Sequence, residues 1–169
     1  DLRSSDGRIS VAVMPFQNMT NDTTWNIWQD GIQNLLITSL SNSEELKVRQ
    51  TETVKSLIQS KGINNYASIT PSLASSISQT INADVFVYGK IIQSGEIIRV
   101  NAQLIETKTE EVLKSFHIDG TEDKILQISD SLSTMVKDFL VITKLRKEID
   151  NFSSGEISNS PEAYRFYIN

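Results

Sequence analysis

The sequence predicts an α/β (α+β) domain: a mixed sheet of about five strands with helices packed on it. Three observations carry this. Val85, Phe86, Val87, Tyr88, Ile91 and Ile92 are β-branched or aromatic, and Ile98, Val100, Ala102 and Leu104 recur with period 2, so residues 83–106 read as a hairpin turning at Ser94-Gly95. The run Ile9 to Phe16 is apolar throughout, as in a strand buried on both faces. Between and after these strands, apolar residues recur at spacings of three and four, which marks amphipathic helices.

In order, the buried strand Ile9 to Phe16 ends at Pro15-Phe16. Residues 17–24 follow as a loop of Asn, Thr and Asp side chains, which hydrogen-bond nearby backbone and end by capping a helix. That helix carries Trp25, Trp28, Ile32, Leu35, Leu36 and Leu40 on one stripe and stops at residues 41–43; Gly31 within it implies close packing against the sheet. Leu46 to Arg49 is a short strand, and Thr51 starts a helix that ends at Gly62. Thr70-Pro71 opens another helix, with Leu73, Ala74, Ile77 and Ile81 inward. A third strand, Val112 to Ile118, extends the hairpin into a meander that Asp119-Gly120-Thr121 ends. A long helix from Thr121 to about Ile149 bears Ile125, Ile128, Leu132, Met135, Val136, Phe139 and Ile142; it is longer than a small domain is wide, so its end should project or break. The expected division is a domain over 1–150, a linker over 151–160, and the opening of a further helical region over 161–169, where Pro161 starts a helix apolar nearly all round.

Composition narrows the function. With 169 residues, 38% hydrophobic and 22% charged, the chain has the makings of a real core. A net charge of -5 argues against a phosphate-binding surface, so nucleic acid is not an expected partner of this segment. There is no cysteine, which removes disulfides, thiolate metal sites and thiol nucleophiles together. No run approaches the roughly 18 apolar residues of a membrane span. The opening residues lack both an initiating Met and the shape of a signal peptide, the pattern expected of a segment cut from a longer chain with its anchor or export signal elsewhere. The Asn-x-Ser/Thr triplets at Asn18, Asn21 and Asn151 arise by chance in polar loops and carry no weight.

No pattern assembles catalytic, cofactor or metal chemistry. His117 is the only histidine and reads as an ordinary strand position, because a lone imidazole needs partners that no local spacing supplies. The pairs Glu44-Glu45, Glu110-Glu111 and Glu122-Asp123 sit at element ends as solvated charges, the last at a helix N-terminus. Gly89-Lys90 is no phosphate loop, since its glycine lies within a strand. Two surfaces remain. Period 2 puts Phe86, Tyr88 and Lys90 on one face, and if Arg99, Asn101 and Gln103 share it, aromatic and hydrogen-bonding side chains meet on a surface suited to a partner. Helices covering the aromatics are the alternative, since sheets in mixed domains have helices on at least one face. The second surface is the loop after the first strand, with Asn18, Thr20, Asn21 and Asp22, whose structural reading is a helix cap and nothing more. A pocket between the sheet and the helix from Trp25 to Leu40, with both tryptophans as stacking surfaces, is the small-ligand alternative.

The ordered set of Pro15-Phe16 with Asn18, Asp30-Gly31 with Leu35-Leu36 and Leu40, Ala83-Asp84 leading to Gly89, and Val100, Ala102, Gln103, Leu104 with Thr107 resembles the TolB N-terminal-like domain over Ile9 to about Phe139. It departs from that pattern in its low Arg content and in Met14, where Leu is usual. The resemblance implies a mixed α/β sheet without active site or cofactor, of the kind found in TolB, in curli and flagellar envelope lipoproteins, in activators of penicillin-binding proteins, and ahead of tetratricopeptide repeats in membrane-anchored regulators. Residues 161–169 are similar to the opening of such repeats. The implied role is a non-catalytic extracytoplasmic interaction or sensing module, with protein partners or other domains of its own chain, and with the membrane reached only through an anchor; a ligand-sensing or envelope-assembly domain is the alternative.

Overall fold

Ile9–Val13 (β1) is five residues long, and all five are buried, because the strand lies inside the sheet with helices on both sides. Pro15, which has no N–H to give the ladder, interrupts it. The chain rejoins the sheet at Gln17–Asn18 (β2), so the first strand is shorter than the apolar run implied and the start of the expected loop is strand. Ile27–Ser41 (α1), Leu46–Val48 (β3), Thr51–Ser60 (α2) and Pro71–Thr80 (α3) follow. The meander is Val85–Ser94 (β4), Ile97–Glu106 (β5) and Val112–Thr121 (β6), and Ile125–Ser154 (α4) completes the order. This computed structural model describes residues 7–154, with side chains described to Arg146.

The sheet has six strands in the order β3-β1-β4-β5-β6, with β2 beside β4. β1 runs parallel to β3 and β4, while β4, β5 and β6 are antiparallel. Gly95, at φ +60°, opens the two-residue β4–β5 loop, a conformation that a side chain would disfavour. β6 extends to Thr121, so residues 119–121 pair with Ile97 to Arg99 and do not end the strand.

Odd residues of β1 and β4 and even residues of β5 face α1 and α4. Val11, Val13, Val85, Val87, Val100 and Leu104 meet Ile32, Leu36, Leu132 and Val136 there. The opposite face is covered by α2 and α3, whose Val54, Ile58, Ala74 and Ile77 pack on Ala12, Met14, Phe86 and Ile105. Thr70 caps α3 through its hydroxyl and the Leu73 amide, 3.2 Å apart, with Pro71 in the first turn.

Two motif positions acquire a physical role. A Cβ on Gly89 would lie 2.3 Å from the Phe16 ring and 2.5 Å from the Asn101 carbonyl, so the ring occupies the space a side chain would need. Asp84 joins three strands: its carboxylate accepts from the Ser10 amide at 2.8 Å, its amide donates to the Ser10 carbonyl at 2.8 Å, and its carbonyl accepts from Thr107 at 3.0 Å. Gly31 packs closely too, but against the ring of Trp28 rather than the sheet.

α4 is unbroken over 30 residues, about 45 Å. Among the described residues its buried stripe is Ile125, Ile128, Leu132, Val136 and Leu140; Met135 and Ile142, expected inward, lie just outside the edge of that stripe and are exposed. The helix takes in residues 151–154 of the expected linker, whereas the rest of that linker and the helical region at 161–169 lie outside the described residues. Among the described residues no helix is long and apolar enough to cross a membrane.

Candidate functional site

The register of the meander sets side chains in rows across three strands. On the face shared with α2 and α3 the rows are Phe86–Ile105–Val112, Tyr88–Gln103–Ser115, Lys90–Asn101–His117 and Ile92–Arg99–Asp119. All six residues expected to share a face therefore do so. They do not share an environment.

Phe86 is fully buried and Tyr88 is 8% exposed, so neither belongs to a contact surface. The helix covering wins at this end because the segment leading into α3 passes over β4. The Tyr88 hydroxyl donates to the Ile69 carbonyl at 2.7 Å and accepts from Gln17 Nε2 at 3.1 Å, while Gln17 also donates to Ile69 at 2.6 Å. Tyr88 is thus a polar tie within the core, satisfied on both sides.

Beyond Pro71 the helices stop. Lys90, Arg99, Asn101, Gln103, Ser115 and His117 line an open concavity of about 390 Å³ with Tyr88 and Pro71 at its margin. Arg99 grips Asp119 with two hydrogen bonds, 2.7 Å from Nε and 2.9 Å from Nη2. That grip holds the Asp119 carboxyl below the usual carboxylate range and raises Arg99 further. Among the described residues, the side chains of Lys90, Asn101, Gln103, Ser115 and His117 make no hydrogen bond. Among the described residues, the hydrogen-bonding groups of these five side chains on rigid strands are therefore unused, with His117 acting on Asp119 through its charge alone. Ser115 and His117 were not among the residues expected here: pairing the third strand with the second around the turn at 107–110 would set Gln103 opposite Lys114 and Asn101 opposite Phe116, and the irregularity at Leu104/Ile105 shifts the register by one residue and brings Ser115 and His117 there instead.

The loop site is built differently. Asn18, Thr20, Asn21 and Asp22 line a hollow of about 470 Å³ with Asn26, Gln29 and residues 64–67. Most of their hydrogen-bonding capacity is spent locally. Asn18 Nδ2 donates to the Asp22 carbonyl at 3.0 Å and to Asn26 Oδ1 at 2.8 Å, and its own amide is held by Gln29 Oε1 at 2.9 Å. Asp22 accepts from the Thr24 hydroxyl at 2.7 Å and amide at 2.9 Å, which keeps its carboxyl below the usual range and caps the 3-10 turn ahead of α1. This loop is first a capping structure. The pocket imagined beside the tryptophans is filled: Trp25 is 5% exposed within the core and Trp28 packs against it.

Several known proteins share parts of this architecture. The LpoB C-terminal domain from Salmonella enterica superposes with a TM-score of 0.53 at 18% identity, over 67% of this chain and 82% of that one. Lipoprotein GNA1162 from Neisseria meningitidis gives a TM-score of 0.55 at 20% identity, over 81% of this chain and 96% of that one. These likenesses establish the fold, which is the mixed sheet that the sequence resemblance implied. In sequence, a candidate adenylate cyclase 3 of Rhizobium meliloti (strain 1021) is 28% identical over 160 residues, covering 94% of this chain and 25% of that protein, so the chain spans about a quarter of that relative's length. The family described as HilA/YgeH-like transcriptional regulator, second domain, matches residues 7–138, from just before β1 into α4. The sheet, its two helix layers and the open rows of the meander all lie within that match, and the chain belongs to the HilA/YgeH-like regulator family as its second domain.

Proposed function

We propose that this domain is a non-catalytic protein-interaction module of a membrane-anchored bacterial regulator, that it works outside the cytoplasm ahead of tetratricopeptide repeats, and that the open half of the meander is its contact face. The observation that carries this reading is the set of five uncommitted polar side chains on one rigid surface. Strands fix such groups in space, so a partner gains hydrogen bonds without ordering a loop. The margin at Tyr88 and Pro71 adds apolar surface beside them, in keeping with a contact patch that has an apolar part and a polar rim.

Membership of a regulator family supports placing the domain within a longer signalling chain. The cyclase name belongs to a relative of which this chain is a quarter, and any cyclase activity stays with that whole protein. GNA1162 of Neisseria meningitidis, which shares the fold, is a lipoprotein, and this supports the extracytoplasmic setting.

The test is a photo-crosslinking residue placed at Asn101 in the full-length protein in its own cell, with the same residue at exposed Glu52 on α2 as the control. A discrete protein adduct at position 101 and none at 52 is the expected outcome; equal or absent labelling would overturn the assignment of the face. A phosphatase fusion that is active only on the cytoplasmic side would overturn the location, and nucleotide cyclisation by the isolated domain would overturn its non-catalytic character.

A further inference from the structure

The two edges of the sheet are guarded unequally. An edge strand exposes unpaired N–H and C=O groups on which another strand can build, and natural sheets keep such edges short, bulged, proline-bearing or covered. β3, at one edge, is three residues long. β6, at the other, runs for ten residues without proline. Its irregularity sits at the start, opposite Leu104 and Ile105, and from Lys114 to Thr121 it pairs one for one with β5. Among the described residues no strand, turn or side chain bonds to the backbone on its outer side. A template for a further strand therefore borders the open rows, to which Ser115, His117 and Asp119 belong.

We infer that an extended segment of a partner protein, acidic at its centre, adds to the sheet as a further strand along β6. The inference rests on the reading of the open meander as a contact face, and adds how the partner is held and with what charge. Charge selects the occupant. The middle of the edge is basic: Lys114 and His117 are exposed on β6, Lys90 stands in the same row as His117, and Asp119 is held by Arg99. The ends are acidic, with Glu110 and Glu111 before the strand and Glu122 and Asp123 after it. Carboxylates at the centre of a docked strand meet the cations, and placed at its ends they would meet like charge. A second copy of this chain is the poorer fit. Two β6 strands meeting antiparallel would lay the basic middle of each against the other, and would set Glu110 and Glu111 of one copy beside Glu122 and Asp123 of its partner at both ends. Meeting parallel and in register, they would set every charge beside its own copy. Like charges oppose both arrangements, on a chain whose net charge is already -5.

The test places a photo-crosslinking residue at Lys114, Ser115 or Asn101, one at a time, in the full-length protein in its own cell, and identifies the labelled peptides by mass spectrometry. A strand lying along β6 is flanked by side chains that point to both faces. Lys114, on the face shared with α4, and Ser115, on the open face, should therefore label the same short acidic stretch of one partner. Adducts from Asn101 and Ser115 with roughly tenfold fewer from Lys114 would keep the contact face and overturn the added strand. Adducts from Lys114 and Ser115 with none from Asn101 would keep the strand and remove the face. Labelling at none of the three positions overturns both. A labelled stretch without an excess of Asp and Glu, or one that is β6 of a second copy, overturns the choice of occupant. The charge argument has its own readout: Lys90→Glu with His117→Glu, both outside the buried core, should lower the yield from Lys114 roughly tenfold, and an unchanged yield overturns it.

Discussion

Phe86 and Lys90 lie on the same strand and the same face, four residues apart, and so do Ile105 and Asn101 on the neighbouring strand. One of each pair is core and the other is surface. Backbone parity decides which face of the sheet a side chain joins, but helix coverage decides whether that face is dry. α2 and α3 reach only as far as the row containing Tyr88, and the next two rows open to solvent. The division between scaffold and candidate contact surface therefore falls across β4 and β5 within each strand, while β6 at the sheet edge is open on this face even at Val112.

That division can be broken from its covered side. Phe86→Ala should cost about 3–5 kcal/mol of stability in chemical denaturation, since it empties a fully buried aromatic site between β4 and the helices. A loss below about 1 kcal/mol would mean that the covered half is not packed as described. At the boundary row, Tyr88→Phe should cost about 1 kcal/mol, because the Ile69 carbonyl keeps Gln17 as a donor while Gln17 loses an acceptor.

A pH titration sharpens the comparison at the far end of the covered half. Burial pushes the Asp84 carboxyl above its ordinary 3.8, against the Ser10 amide and the Arg49 charge, which pull it down. The folded protein thus binds this proton more tightly than the unfolded chain. The contribution is present below about 3.8 and is lost as pH rises through the folded-state value. Denaturation midpoints of Asp84→Asn should lack that decline; parallel profiles for both proteins would remove Asp84 as its source. The smallest effect belongs to the open half. Asn101→Ala should change stability by no more than about 0.5 kcal/mol, as at ordinary surface positions, while removing a group from the contact face. A large loss there would show that the residue is structural after all.

The element order apart from β2, and the hairpin, could be read from period and turn residues, whereas the sharing of a face by Phe86, Tyr88, Lys90, Arg99, Asn101 and Gln103 was conditional until the β4–β5 register fixed it. The motif positions Asp84 and Gly89 could be recognised, but not explained. Their partners, Ser10 and Phe16, are more than seventy residues away in sequence, and only the parallel pairing of β1 with β4 brings them together. His117 shows the same limit from the other side. Taken alone it was an unremarkable strand residue, and the β5–β6 register set it beside Asn101 in the middle of the open rows.

The sequence by itself determined the main strands and helices, though not the two-residue β2 or the end of β6, and the apolar side of most of them. Those properties follow from local sterics and from periods of 2 and 3.6 residues along the chain. Only the tertiary structure decided where α2 and α3 end over the sheet, and therefore that Phe86 and Tyr88 are core while Lys90, Arg99, Asn101 and Gln103 are open. Coverage depends on the placement of elements distant in sequence, which no local period encodes.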